Sequence, residues 1–199
     1  EPLAWEYRYE TRLEYTGTID GGTLAGDLIV TGSGDPSIVA QDAGPAPVFG
    51  EWAEAPPKAG IRRVHGRLIG NDNAFDDAGV GVGWEWDDLT AGYAAPSGAL
   101  SYNENVVRIA VTPGRNAAEA ARVDLLPAAG IFEIDNGVVT GAAGPTNRLD
   151  LIRLPFNTRL TVRGTVAAGG NPVIRTMAVD NPTRFFVEGL AAALAQRTV

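Results

Sequence analysis

The chain has 199 residues, 45% hydrophobic and 20% charged, with a net charge of −8 and no cysteine. The acidic balance speaks against nucleic acid, which selects clustered Lys and Arg to replace phosphate counterions. Without cysteine there is no disulfide, thiolate nucleophile or cysteine-held metal site, and no run reaches the ~18 apolar residues of a membrane span.

The length suits one large or two small domains at ~100–200 residues each. Of 16 basic residues only Lys58 is lysine; His65 is the one histidine, and the four serines are Ser33, Ser37, Ser97 and Ser101. No signal peptide is visible. The abrupt start at Glu1-Pro2-Leu3-Ala4-Trp5 reads as a processed product or an excised fragment.

Residues 5–20 alternate aromatic and charged side chains, which predicts a strand with one polar face. Gly21-Gly22 marks a turn, and Leu24 to Val30 predicts a buried strand. Thr31-Gly32-Ser33-Gly34-Asp35-Pro36-Ser37 follows. It lacks the full dinucleotide and Walker patterns, so a tight turn leading to a helix cap is preferred over a phosphate cradle. A short helix is expected over 48–59 around Phe49 and Trp52, ending near Pro56-Pro57, and a strand over Ile61 to Ile69. His65 lies in that strand and, with no second histidine or cysteine, reads as structural. Asn71 to Asp77 fails the calcium-loop spacing, with Asp76 where glycine belongs, and is expected to be a capped turn.

Gly83-Trp84-Glu85-Trp86-Asp87-Asp88 through Tyr93 is where the character of the chain changes. Beyond Asn105, short strand patterns recur at 106–111, 122–126, 132–134, 138–140, 149–154, 159–166 and 173–179. Asn181 then suits an N-cap and Pro182 the first helical position, and Phe186, Leu190 and Leu194 recur at helical spacing. This closing helix is expected to pack back on the first layer. The fold class is therefore α+β with two nested domains. Residues 1–97 plus 179–199 are expected to form a small discontinuous α/β domain, and 98–178 an inserted antiparallel β domain.

Several pieces, in this order, resemble the low-molecular-mass class C penicillin-binding proteins. They are Gly26-Asp27-Leu28-Ile29-Val30 with Gly34-Asp35-Pro36; Ile61, Gly66, Asn71-Asp72 and Phe75-Asp76; Trp84-Glu85-Trp86-Asp87-Asp88; Ala94-Ala95-Pro96-Ser97-Gly98-Ala99-Leu100-Ser101 with Asn105; and Asp180-Asn181-Pro182 before Phe185-Phe186. That family comprises serine D-alanyl-D-alanine carboxypeptidases and endopeptidases that trim peptidoglycan in the bacterial envelope. The resemblance implies that this chain corresponds to the two nested insertions of the family's catalytic domain. It implies an extracytoplasmic location, the catalytic domain and the peptidoglycan stem peptide as partners, and no cofactor.

The reaction itself needs Ser-x-x-Lys and a Lys-Thr/Ser-Gly strand. Three residues beyond the four serines stand Pro36, Ala40, Leu100 and Glu104, and Lys58 is followed by Ala59-Gly60. Ser101-Tyr102-Asn103 fits Ser-x-Asn but has no nucleophile to serve and reads as structural. A Ser–His–Asp triad has no Gly-x-Ser-x-Gly elbow. Adjacent residues such as Asp87 and Asp88 diverge in direction, so glycosidase chemistry would need a partner carboxylate from elsewhere in the chain. The chain alone is expected to be inactive.

The resemblance places Asp88 and Tyr93, with Trp86 close by, in a pocket wall that meets the ammonium-bearing diamino acid of the stem peptide. A carboxylate pairs with the ammonium while a ring packs on its aliphatic stem. Trp84 and Asp87 are expected to be structural, the tryptophan sealing a junction and the aspartate capping a turn.

Overall fold

The computed structural model describes residues 6–41, 44–76, 78–128, 130–144, 147–154 and 157–197. Trp5 and Asp77, which entered the strand and loop expectations, lie outside the described residues.

Each of the three early strand patterns is realised as two short strands. The first gives β1 (Arg12–Tyr15) and β2 (Thr18–Asp20), the second β3 (Thr23–Ala25) and β4 (Leu28–Thr31). The short helices α1 (Pro47–Trp52) and α2 (Ala55–Lys58) follow, then the third pattern as β5 (Arg63–His65) and β6 (Leu68–Asn71). The strands form two sheets, ordered β1-β4-β6 and β2-β3-β5. In each, the middle strand runs antiparallel to the first and parallel to the last.

Glycine causes the breaks. A Cβ on Gly17 would lie 2.1 Å from the Ala25 carbonyl oxygen, one on Gly26 1.9 Å from that of Thr16, and one on Gly66 1.9 Å from that of Gly26. Backbone thus touches backbone across all three segments, an approach no side chain permits. Beside this seam Arg67 clamps Asp27: its amide and its Nη2 each donate to the carboxylate at 2.8 Å. The guanidinium holds the Asp27 carboxyl below the usual carboxylate range.

The expected single helix over 48–59 is two helices because Pro56 and Pro57 cannot donate to a preceding turn. They sit instead at the start of α2, where no donor is required. Likewise the Gly32–Ser37 segment turns, with the Gly34 amide bonded to the Ala99 carbonyl at 2.8 Å and Asp35 accepting from Ser37, but among the described residues no helix follows until Pro47.

Asn105 is the joint between the first layer and the strands that follow. Asn103, Glu104 and Asn105 all adopt left-handed backbone, with φ of 52°, 56° and 56°, a conformation in which Asn is enriched. The Asn105 side-chain Nδ2 donates to the Pro96 carbonyl, and the Asn105 backbone carbonyl accepts from the Val179 N–H. One residue thereby ties the entering and returning chain segments together.

Six strands follow: β7 (Val106–Thr112), β8 (Arg122–Leu126), β9 (Glu133–Gly141), β10 (Arg148–Ile152), β11 (Arg159–Ala167) and β12 (Val173–Ala178). The patterns at 132–134 and 138–140 merge into β9. Sheet β12-β7-β8 is antiparallel throughout. In sheet β10-β11-β9 one pair departs from the antiparallel expectation, as β11 runs parallel to β9. The physical reason is the connection: β10 lies on the far side of β11, and the chain from 142 to 158 is long enough for the crossover that parallel strands need.

The closing helix α3 (Pro182–Ala195) is capped by the Asn181 side chain, which accepts from the Arg184 amide at 2.7 Å. It packs on β6, where Thr183 and Val187 flank Gly70, and on α1, where Phe186 meets Phe49, burying Phe185, Phe186, Leu190 and Leu194. Phe49 of α1 is the hub, its ring centroid 4.9 Å from Tyr102, 5.0 Å from Phe186 and 5.9 Å from Trp52. The fully buried rings of Phe49, Tyr102 and Phe186 each stabilise by about 2–3 kcal/mol. Gly189 lets the rings close in, since a Cβ there would stand 2.8 Å from Phe49.

Candidate functional site

Gly79-Val80-Gly81-Val82-Gly83 forms neither helix nor strand, and the aromatics after it stay at the surface. Trp84 is 43% exposed, Trp86 65% and Tyr93 70%. Clustered exposed aromatics mark a contact surface rather than a core. Trp84 therefore does not seal a junction as expected.

Two 3-10 turns, Asp88–Thr90 and Gly92–Ala94, meet at Ala91. Their hydrogen bonds, Ala91 N–H to Asp88 O at 2.8 Å and Ala94 N–H to Ala91 O at 3.0 Å, curl the chain. The curl brings Tyr93 back to Asp88, and the phenol donates to the carboxylate. Trp84 stacks on Tyr93 with centroids 5.9 Å apart and planes at 29°. The Asp88 carboxylate raises the Tyr93 phenol pKa, chiefly through that hydrogen bond, with smaller contributions from burial and from the charges of Asp88 and Asp87. Asp87 occupies the N-cap position of the first turn but makes no capping bond with its side chain. The arrangement offers an anionic oxygen beside an aromatic ledge, which suits a cation on an aliphatic stem.

The site is backed by β12. Ala91 forms an antiparallel bridge with Met177, and a Cβ on Gly92 would stand 2.7 Å from Thr176 Cγ2. Beside it lies a cavity of about 310 Å³, lined in part by Leu89, Ala94, Asp72, Phe75 and Asp180.

The other sequence candidates are occupied by structural work. Tyr102 is buried, and the Asn103 side chain accepts from the Ala40 amide and donates to the Val106 carbonyl at 2.8 Å. Asp72 accepts from Thr183, and Asp76 from the Ala78 amide. Among the described residues no group of three or more His, Cys, Asp or Glu could hold a metal ion. His65 is exposed on β5, Ser33 Oγ accepts from the Glu10 amide, and Lys58 pairs with Glu54 at 3.0 Å. Sequence reasoning missed the Trp84–Tyr93 stack. It also missed Arg153, whose guanidinium is buried against Asp180.

Known proteins resemble this chain in fold and in sequence. The solved structure of penicillin binding protein 4 (dacB) from Haemophilus influenzae superposes with a TM-score of 0.73 at 25% identity, covering 96% of this chain and 41% of that one. The D-alanyl-D-alanine carboxypeptidase DacB of the same organism is 27% identical over 193 residues, 96% of this chain and 39% of its own length. The D-alanyl-D-alanine carboxypeptidase of Actinomadura sp. (strain R39) is 33% identical over 162 residues, 78% of this chain and 29% of its own length. These likenesses define the class as low-molecular-mass class C penicillin-binding proteins. The profile of the D-Ala-D-Ala carboxypeptidase 3 (S13) family matches residues 1–199, and the chain belongs to that family. It spans less than half the length of each of these relatives.

Proposed function

We propose that this chain is the non-catalytic insertion region of a peptidoglycan-trimming D-alanyl-D-alanine carboxypeptidase or endopeptidase of the bacterial envelope. Its partner is that enzyme's catalytic domain. Residues 1–97 with 179–199 are its α/β part, and 98–178 the inserted β part. Asp88 and Tyr93, with Trp86 close by, form the wall of the cleft that meets the stem peptide. The observation that carries this reading is the exposed Asp88–Tyr93 pair held by Trp84. An ammonium approaching Asp88 gains a charge-assisted hydrogen bond, and the ring face adds roughly 0.5–1 kcal/mol at an exposed site. The missing Ser-x-x-Lys and Lys-Thr/Ser-Gly elements support assigning the bond-breaking step elsewhere. Incubating the chain with a fluorescent penicillin tests the claim: no covalent label is expected, and acylation of any of its serines overturns it.

A second reading is an independent envelope module that binds peptidoglycan or a protein partner, favoured by the exposure of Trp86 and Tyr93. Saturable binding of soluble peptidoglycan fragments by this chain alone, at millimolar ligand, would select it.

A further inference from the structure

The wall residues sit on two single 3-10 turns, and the first of these buries none of its residues. Such turns have poor hydrogen-bond geometry and hold little position by themselves. What fixes them lies elsewhere in the chain. Ala91, the residue between the turns, bridges to Met177, which is 2% exposed in β12. Its neighbour Gly92 lies flat against Thr176, where a Cβ would meet Cγ2 at 2.7 Å and Cβ at 3.2 Å. Thr176 is exposed, but its Cβ, 3.2 Å from that point, is carried by a strand paired with β7 over its whole length, so the close approach persists when the side chain turns. Ala94, which follows Tyr93, is 2% exposed and closes the second turn against the interior.

We infer that β12 is the positioning element of the Asp88–Tyr93 wall, and that the Gly92–Thr176 contact sets the depth at which the wall stands. Gly92 and Thr176 are positioning residues that act through Asp88 and Tyr93. The strand layer thereby becomes part of the discrimination between peptides with and without a cationic side arm. This inference rests on the proposed reading of Asp88 and Tyr93.

The test uses the full-length protein that carries this chain. Release of D-alanine is measured from a peptide ending in D-Ala-D-Ala whose side arm bears a free ammonium, and from its N-acetylated counterpart. The readout is the ratio of the two kcat/KM values, which a general loss of folding moves little. Gly92→Ala is expected to lower the ratio about tenfold. Adding Thr176→Ser, which removes the obstructing methyl and keeps the hydroxyl, is expected to restore most of it. A parallel reading in the chain alone is the Tyr93 phenol titration, which Gly92→Ala moves back toward its ordinary value and the double variant restores. If Asp88→Asn lowers the ratio while Gly92→Ala does not, or if Thr176→Ser restores nothing, the positioning claim falls and the wall stands. If Asp88→Asn also leaves the ratio unchanged, the wall reading falls and takes this inference with it.

Discussion

The guanidinium of Arg153 is wholly buried and forms an ion pair with Asp180, whose side chain is 20% exposed. Arg153 also donates to the Ala178 carbonyl at 3.2 Å and lies 5.6 Å over the Phe132 ring. Its Nε has no hydrogen-bond partner among the described residues. A charge so placed is tolerated only while its counter-ion is present. Asp180→Ala is therefore expected to cost about 3 kcal/mol, toward the low end for a broken buried pair because the carboxylate keeps some solvent. Arg153→Met combined with Asp180→Ala should cost clearly less than the sum of the singles. Urea denaturation of the four proteins measures both, and additive losses would show that the two residues do not act as a pair.

The Tyr93 phenol reports on Asp88. Its pKa is raised because ionisation would place a phenolate against a carboxylate. Asp88→Asn removes that charge, so the phenol is expected to titrate closer to its ordinary value near 10. Absorbance titration at the phenolate band checks this, with Tyr93→Phe identifying the signal. An unchanged curve would mean that the Tyr93–Asp88 hydrogen bond does not persist in solution.

The glycine seam predicts opposite signs for one substitution. Gly66→Ala drives a Cβ to 1.9 Å from the Gly26 carbonyl oxygen, and is expected to destabilise by about 1–3 kcal/mol or more. Gly50→Ala, in α1 with open space around it, is expected to stabilise by roughly 0.5–1 kcal/mol. Thermal melting of the two variants against the parent decides the matter.

Tyr102 makes the fold sensitive to alkali. Burial pushes its pKa up to about 12 from an ordinary 10, against a smaller lowering by the Ala46 backbone. The raised value means that the folded state favours the neutral phenol. The contribution is fully present below pH 10 and disappears as pH rises toward 12. Tyr102→Phe keeps the ring contacts with Phe49 and Phe185 and removes the titration. Its melting temperature is expected to fall less steeply than the parent's between pH 10 and 12.

Most elements were legible wherever the signal was local. Asn181 and Pro182 mark the start of α3 because capping acts within one turn, and the alternation over 159–166 marks β11 because side-chain direction is set residue by residue. The expected strands ran too long because Gly17, Gly26 and Gly66 look ordinary one at a time. Their effect appears only when the three segments lie side by side. In the candidate site, Asp88 and Tyr93 were legible through the motif resemblance. Trp84 was not, since large aromatics are usually buried and nothing in its immediate neighbours signals a stack on a residue nine positions on.

The sequence by itself determined the residue inventory, the absence of a serine–lysine pair at the required spacing, the strand and helix patterns, and the ordered motifs by which the chain resembles its class. Tertiary structure alone decided the parallel pairing of β9 with β11, the burial of Arg153 against Asp180, and the seating of Gly92 on Thr176. The physical reason is range. Periodicity and capping act across a few residues, whereas these contacts join positions 26 to 84 residues apart, whose meeting depends on how whole sheets pack.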